Sequence, residues 1–77
     1  MFNTFFPQWP NPNLLNVDIE VLNPESIRIY NALGQLEILE LDPKSNNRID
    51  VSALLSGLHF VEITFEEDTV VKQVILH

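Results

Sequence analysis

The chain contains no cysteine, which excludes a disulfide framework and any thiolate metal centre. Histidine is almost as scarce, with only His59 and the terminal His77. A general base at His59 would need a nucleophile and an orienting acid converging on it. Ser52, Ser56 and Asp50 are near in sequence, but no strained Gly-x-Ser-x-Gly turn accompanies them. The chain is therefore not expected to be an enzyme. Cations are few: Arg28, Lys44, Arg48 and Lys72 stand against eleven acids, a net charge of −7. Four scattered cations cannot neutralise a phosphate backbone, which argues against nucleic acid and equally against an anionic membrane surface. No apolar run approaches the roughly 20 residues of a membrane span, so no membrane insertion is expected. The first residues lack the basic start and length of a signal peptide; for an exported protein, that signal is expected on a part not present in this sequence.

What the 77 residues do contain is strand pattern, at 45% apolar content, enough for one small domain. Leu15, Val17, Ile19 and Val21 alternate with Asn16, Asp18 and Glu20, the period of two of a half-buried strand. After a turn at Asn23, Pro24 and Glu25, alternation resumes with Ile27 and Ile29 inward and Arg28 outward. Residues 31–34 form a hairpin connection ending at Gly34, a position suited to positive φ. The partner strand covers residues 35–41, with Leu36 and Ile38 inward and a slip, read as a bulge, beyond Ile38. Residues 42–47 are the most polar stretch and read as a loop. A short strand follows at residues 48–51. Ser52 then suits the cap of a single helical turn that Gly57 ends, with Leu54 or Leu55 plugging the core. Residues 58–65 form the strongest strand, apolar on both faces, and residues 69–76 close the chain after the hairpin tip Glu66, Glu67 and Asp68. Six to seven short strands at this spacing predict an all-β, Ig-like antiparallel β-sandwich over residues 10–77, preceded by an extended lead-in at residues 1–9.

Four features bear on binding. The acids at residues 66–68 lack the alternating spacing and glycine of a calcium loop, so a solvated hairpin tip is expected, with no metal or other cofactor. Phe2, Phe5, Phe6 and Trp9 gather aromatic surface in nine residues; Trp9 is expected to cover one end of the sandwich. Lys72 is open between an outward residue on the solvent face and part of a recognised surface. The last strand is a terminal edge suited to strand addition by a partner.

Four blocks occur in order: Pro10-Asn11-Pro12; Tyr30-Asn31-Ala32-Leu33-Gly34-Gln35-Leu36; Asp50-Val51-Ser52-Ala53-Leu54-Leu55-Ser56-Gly57-Leu58-His59-Phe60-Val61; and Val71-Lys72-Gln73-Val74-Ile75-Leu76. Together they resemble the C-terminal sorting domains of the type IX secretion system of Bacteroidota, across most of the chain. The resemblance implies a non-catalytic sorting signal that directs an N-terminally attached cargo to the cell surface. It further implies export through the periplasm, recognition by the type IX translocon and removal by a sortase-like protease. Recognition would rest on Gly57, His59 and Lys72, while Pro10, Asn11, Pro12 and Gly34 serve the fold. Relative to the family pattern, Asn31 replaces an acid, Gln35 a basic residue and His59 a tyrosine. The alternatives are an Ig-like adhesion or carbohydrate-binding module and a dimerisation domain.

Overall fold

The computed structural model describes residues 11–12 and 16–77. Among the described residues seven strands follow in chain order: β1 (Asn11–Pro12), β2 (Asn16–Glu20), β3 (Ser26–Asn31), β4 (Leu36–Glu40), β5 (Asn46–Asp50), β6 (Gly57–Thr64) and β7 (Thr69–Leu76). They form a three-stranded sheet in the order β1-β2-β5 and a four-stranded sheet in the order β4-β3-β6-β7. Every pairing is antiparallel, and no described residue is helical. The expected all-β, Ig-like sandwich is what the chain adopts.

The alternation seen in the sequence builds the core. Val17, Ile19 and Val21 face Ile27, Ile29, Val61 and Ile63 from the opposite sheet, joined by Val51, Val74 and Leu76. Six of these side chains are fully buried: Ile19, Ile27, Ile29, Ile63, Val17 and Val61. Each contributes about 1.5–3 kcal/mol relative to exposure. β-branched residues dominate because they keep one stiff rotamer against a pleated surface. β6 lies between β3 and β7, as its apolar character on both faces predicted. Along one side of the sandwich β1 runs close to β7. Pro12 stands opposite Val17 and has no N–H to offer a further strand.

Several local expectations need correction. Residues 52–55 form no helical turn. The Asp50 carboxylate accepts the Ser52 N–H at 2.8 Å, and Leu54 N–H bonds to the Val51 carbonyl at 3.0 Å. Asp50 thus takes the capping role expected of Ser52, and a single hydrogen-bonded turn suffices to reverse the chain. Leu54 packs on the core, whereas Leu55 is 83% exposed. Gly57 opens β6 at φ 120 instead of ending a helix. β5 begins at Asn46, earlier than expected, because Asn46 and Asn47 pair with Glu20 and Ile19. The Asn47 side chain also accepts the Lys44 N–H at 2.9 Å, closing the turn before the strand.

The bulge falls before Ile38, not after it. Ile29 stands opposite Ile38, but Tyr30 stands opposite Leu36, which leaves Glu37 as the extra residue. The insertion flips the strand end, so Leu36 shares the outer face with Tyr30 and is 48% exposed. Ile38 does pack against the core.

Candidate recognition surface

The 31–34 hairpin is built around one side chain. Asn31 Oδ1 accepts the Leu33 N–H at 2.9 Å and the Gln35 N–H at 3.0 Å. Its Nδ2 donates to Gln35 Oε1 at 2.8 Å. Gly34 completes the turn at φ 84, a conformation in which an L side chain is strained. The hairpin carries no charge at residues 31–35, yet it keeps the turn that an acid at position 31 would make, because an amide oxygen accepts the same two N–H groups.

His59 is 3% exposed and points inward between the sheets, opposite Asn31 on β3 and Val74 on β7. Its Nε2 lies 3.0 Å from Glu37 Oε1 and its Nδ1 lies 3.1 Å from the Gly57 carbonyl. Both neighbours are hydrogen-bond acceptors. The bulge is what delivers Glu37 to this position. His59 is therefore held in the core edge by two partners, and it ties the β3–β4 hairpin to the start of β6.

Lys72 does not lie on the outer face. The tip at residues 65–68 sets Thr64 opposite Thr69, and the Phe65 N–H bonds to the Asp68 carbonyl at 2.7 Å. That register puts Lys72 opposite the fully buried Val61, on the inward side of an edge strand. An inward charge on an edge strand discourages indiscriminate pairing. Gly57, His59 and Lys72 thus occupy the inner side of β6 and β7. Asn11 and Pro12 form β1, and Gly34 forms the hairpin turn; Pro10, Leu15, Trp9 and the phenylalanines at positions 2, 5 and 6 lie outside the described residues.

The opposite face of the four-stranded sheet was not anticipated. Opposed residues in an antiparallel pair share a face. One cross-strand row runs Leu36, Tyr30, Phe60, Gln73; on one side of it lies the row Leu39, Arg28, Glu62, Val71, and on the other the pair Leu58 and Ile75. Leu36, Leu39, Val71 and Ile75 are 45–53% exposed. Tyr30 Oη donates to Glu62 Oε1 at 3.1 Å, and desolvation followed by that bond holds the phenol above its usual range. Arg28 Nη1 donates to Ser26 Oγ at 2.8 Å. The sequence signal was there, in the apolar character of both faces of β6. What hid it was the bulge, which alone turns Leu36 outward.

On the three-stranded sheet, Arg48 Nε bonds to Asp18 Oδ1 at 2.8 Å and Nη2 to Oδ2 at 3.0 Å. This bidentate pair lowers the Asp18 pKa and raises that of Arg48. Among the described residues no group of three or more histidines and acids is arranged to hold a metal ion, and no helix is long and apolar enough to cross a membrane.

Comparison with known families decides among the readings. A family model described as "Secretion system C-terminal sorting domain" matches residues 8–77. The chain belongs to this family. The sorting domain therefore acts as a C-terminal sorting signal of the type IX secretion system, and nothing found favours the adhesion or dimerisation readings. Membership implies interaction with the secretion machinery and with a cargo on its N-terminal side. The destination is the cell surface or the extracellular space. The family is a sorting signal and is not known for catalysis. No curated protein and no solved structure matches the chain.

Proposed function

We propose that the sorting domain works as a folded, non-catalytic address that carries its cargo from the periplasm across the outer membrane to the cell surface. The translocon receives the folded sandwich, and a sortase-like protease then removes it. The family match across residues 8–77 carries this reading, and the closed sandwich with its continuous core supports delivery as a folded unit. No metal or cofactor enters it. Gly57, His59 and Lys72 serve recognition by holding β6 and β7 in shape, since all three lie on the inner side of those strands. Asn11, Pro12 and Gly34 set the entry strand and the turn, and Pro10 belongs to the same segment.

A secretion assay in a Bacteroidota host tests the reading. A signal peptide and a fluorescent reporter are placed ahead of residues 1–77, with a second fusion ending before Thr69. The expected result is surface reporter for the full tail only, with a mass decrease that marks loss of the tail. Because β7 pairs along its whole length with β6, the shortened fusion also tests folding, so a folded point variant of the tail is run beside it. Periplasmic retention of the reporter on an intact, folded tail would overturn the reading.

A further inference from the structure

The outer face of the four-stranded sheet presents apolar side chains from all four strands, with Arg28, Glu62 and Gln73 among them. Leu36, Tyr30 and Phe60 form one cross-strand row, the pair Leu58 and Ile75 lies beside it, and Leu39 and Val71 stand at the two ends of the row on its other side, with Arg28 and Glu62 between them. The four aliphatic members are about half exposed, whereas the opposite face of the same strands holds Ile27, Ile29, Val61 and Ile63 in the core. Contiguous exposed apolar surface of this kind marks an interaction site in a soluble domain. Among the described residues the three-stranded sheet lies against the opposite face, where the core is.

Charge identifies the kind of occupant. At one end of this face the chain turns twice, and both turns are acidic. The Glu25 N–H bonds to the Thr64 carbonyl at 2.7 Å, which sets Glu25 beside the tip carrying Glu66, Glu67 and Asp68. All four acids are exposed. Arg28 is directed to Ser26, and Glu62 accepts from Tyr30 in the middle of the face. A second copy brings another net charge of −7 and few cations to offset it. Its Arg48 is already engaged by Asp18.

We propose that this outer face is the docking surface through which the sorting domain binds a component of the export machinery, one that presents an apolar patch flanked by lysine or arginine side chains at the end facing residues 66–68. The proposal rests on the sorting reading above and assigns the surface it uses. Apolar contact provides affinity, and the acidic end fixes orientation and speeds encounter.

The test uses the reporter fused to the full chain. Val71→Thr with Ile75→Thr removes apolar area while keeping β-branched residues on the strand. Leu33→Ser with Leu55→Ser removes two hydrophobes that are 84% and 83% exposed but lie in turns off the face. Thermal melts of each purified chain establish that it folds. The expected result is surface reporter reduced about tenfold or more by the face pair and unchanged by the turn pair. Replacing Glu66, Glu67 and Asp68 with Gln, Gln and Asn is expected to lower export severalfold and to weaken binding of the purified chain to outer-membrane vesicles, with a smaller difference from native at raised salt. Native export by a folded face pair would overturn the proposal, as would an equal loss in the turn pair. Two further results would assign the face to another occupant and overturn it as well: sedimentation showing a native dimer that the face pair makes monomeric, or a Trp9 fluorescence shift in the face pair. Failure of the native tail to export in any strain counts instead against the sorting reading, so the two failures are distinguishable.

Discussion

Removing the buried link between His59 and Glu37 should cost the sandwich a measurable fraction of its stability. His59 is 3% exposed, and its ring nitrogens lie 3.0 Å from a carboxylate oxygen and 3.1 Å from a carbonyl. The Glu37 side chain keeps 26% of its surface in water, so the pair is only partly desolvated. A hydrogen bond to a charged group contributes about 1.5–3 kcal/mol when well shielded; partial hydration lowers that to about 1–2 kcal/mol. Glu37→Ala leaves the imidazole facing the Gly57 carbonyl alone, and His59→Phe leaves a carboxylate that can turn to solvent. Both single variants should melt about 4–16 °C lower, using the usual sensitivity of a domain of this size. The double variant should lose less than the sum of the two, giving a coupling of about 1 kcal/mol in a cycle of urea melts. Additivity within about 0.3 kcal/mol would refute the reasoning, because residues that do not interact add.

Three further outcomes follow from the fold. Ile63→Ala should cost about 2–5 kcal/mol, a large part of the stability of so small a domain, and should leave little folded protein in a urea titration. Gly57→Ala and Gly34→Ala meet nothing within 4 Å of the added carbon. Their cost, about 1–3 kcal/mol each, therefore comes from positive φ, and an asparagine at Gly34 (φ 84) should recover part of the loss where one at Gly57 (φ 120) does not. Hydrogen bonds from Arg48 and from Ser52 lower the pKa values of Asp18 and Asp50 below the ordinary 3.8. A lowered folded-state pKa gives stability that is full above the unfolded value and lost as pH falls through the folded one. The melting temperature should thus drop below about pH 4, with a shallower drop in Asp18→Asn and Asp50→Asn.

Much of this architecture was legible in the residues. The alternation of Val17, Ile19 and Val21, and of Ile27 and Ile29, assigned their faces correctly because both strands bury one side only. The turn at residues 31–34 was legible because Gly34 has few conformational substitutes. Misreadings arose where a distant partner chose the geometry. Glu37 is bulged toward His59, 22 positions further on, and no local rule places that insertion. The side taken by Lys72 depends on the register set by the tip at residues 65–68, which alternation within β7 does not reveal when both of its faces are apolar. Asn46 and Asn47 look like loop residues and become strand only because β2 offers them an edge. His59 lies at the edge of the core, and its acidic partner Glu37 was not foreseen. The outer apolar face escaped notice for the same reason as the bulge, since it exists only once Leu36 joins Tyr30 and Phe60.

The central claim is that this chain is an export address, and its most direct test is where a cargo ends up. A periplasm-targeted reporter fused ahead of residues 1–77 is produced in a Bacteroidota host with an intact type IX translocon and in one that lacks it, and reporter on whole cells is measured by added protease. The account predicts reporter that is protease-accessible in the first host and protected in the second. Equal accessibility in both hosts would contradict it.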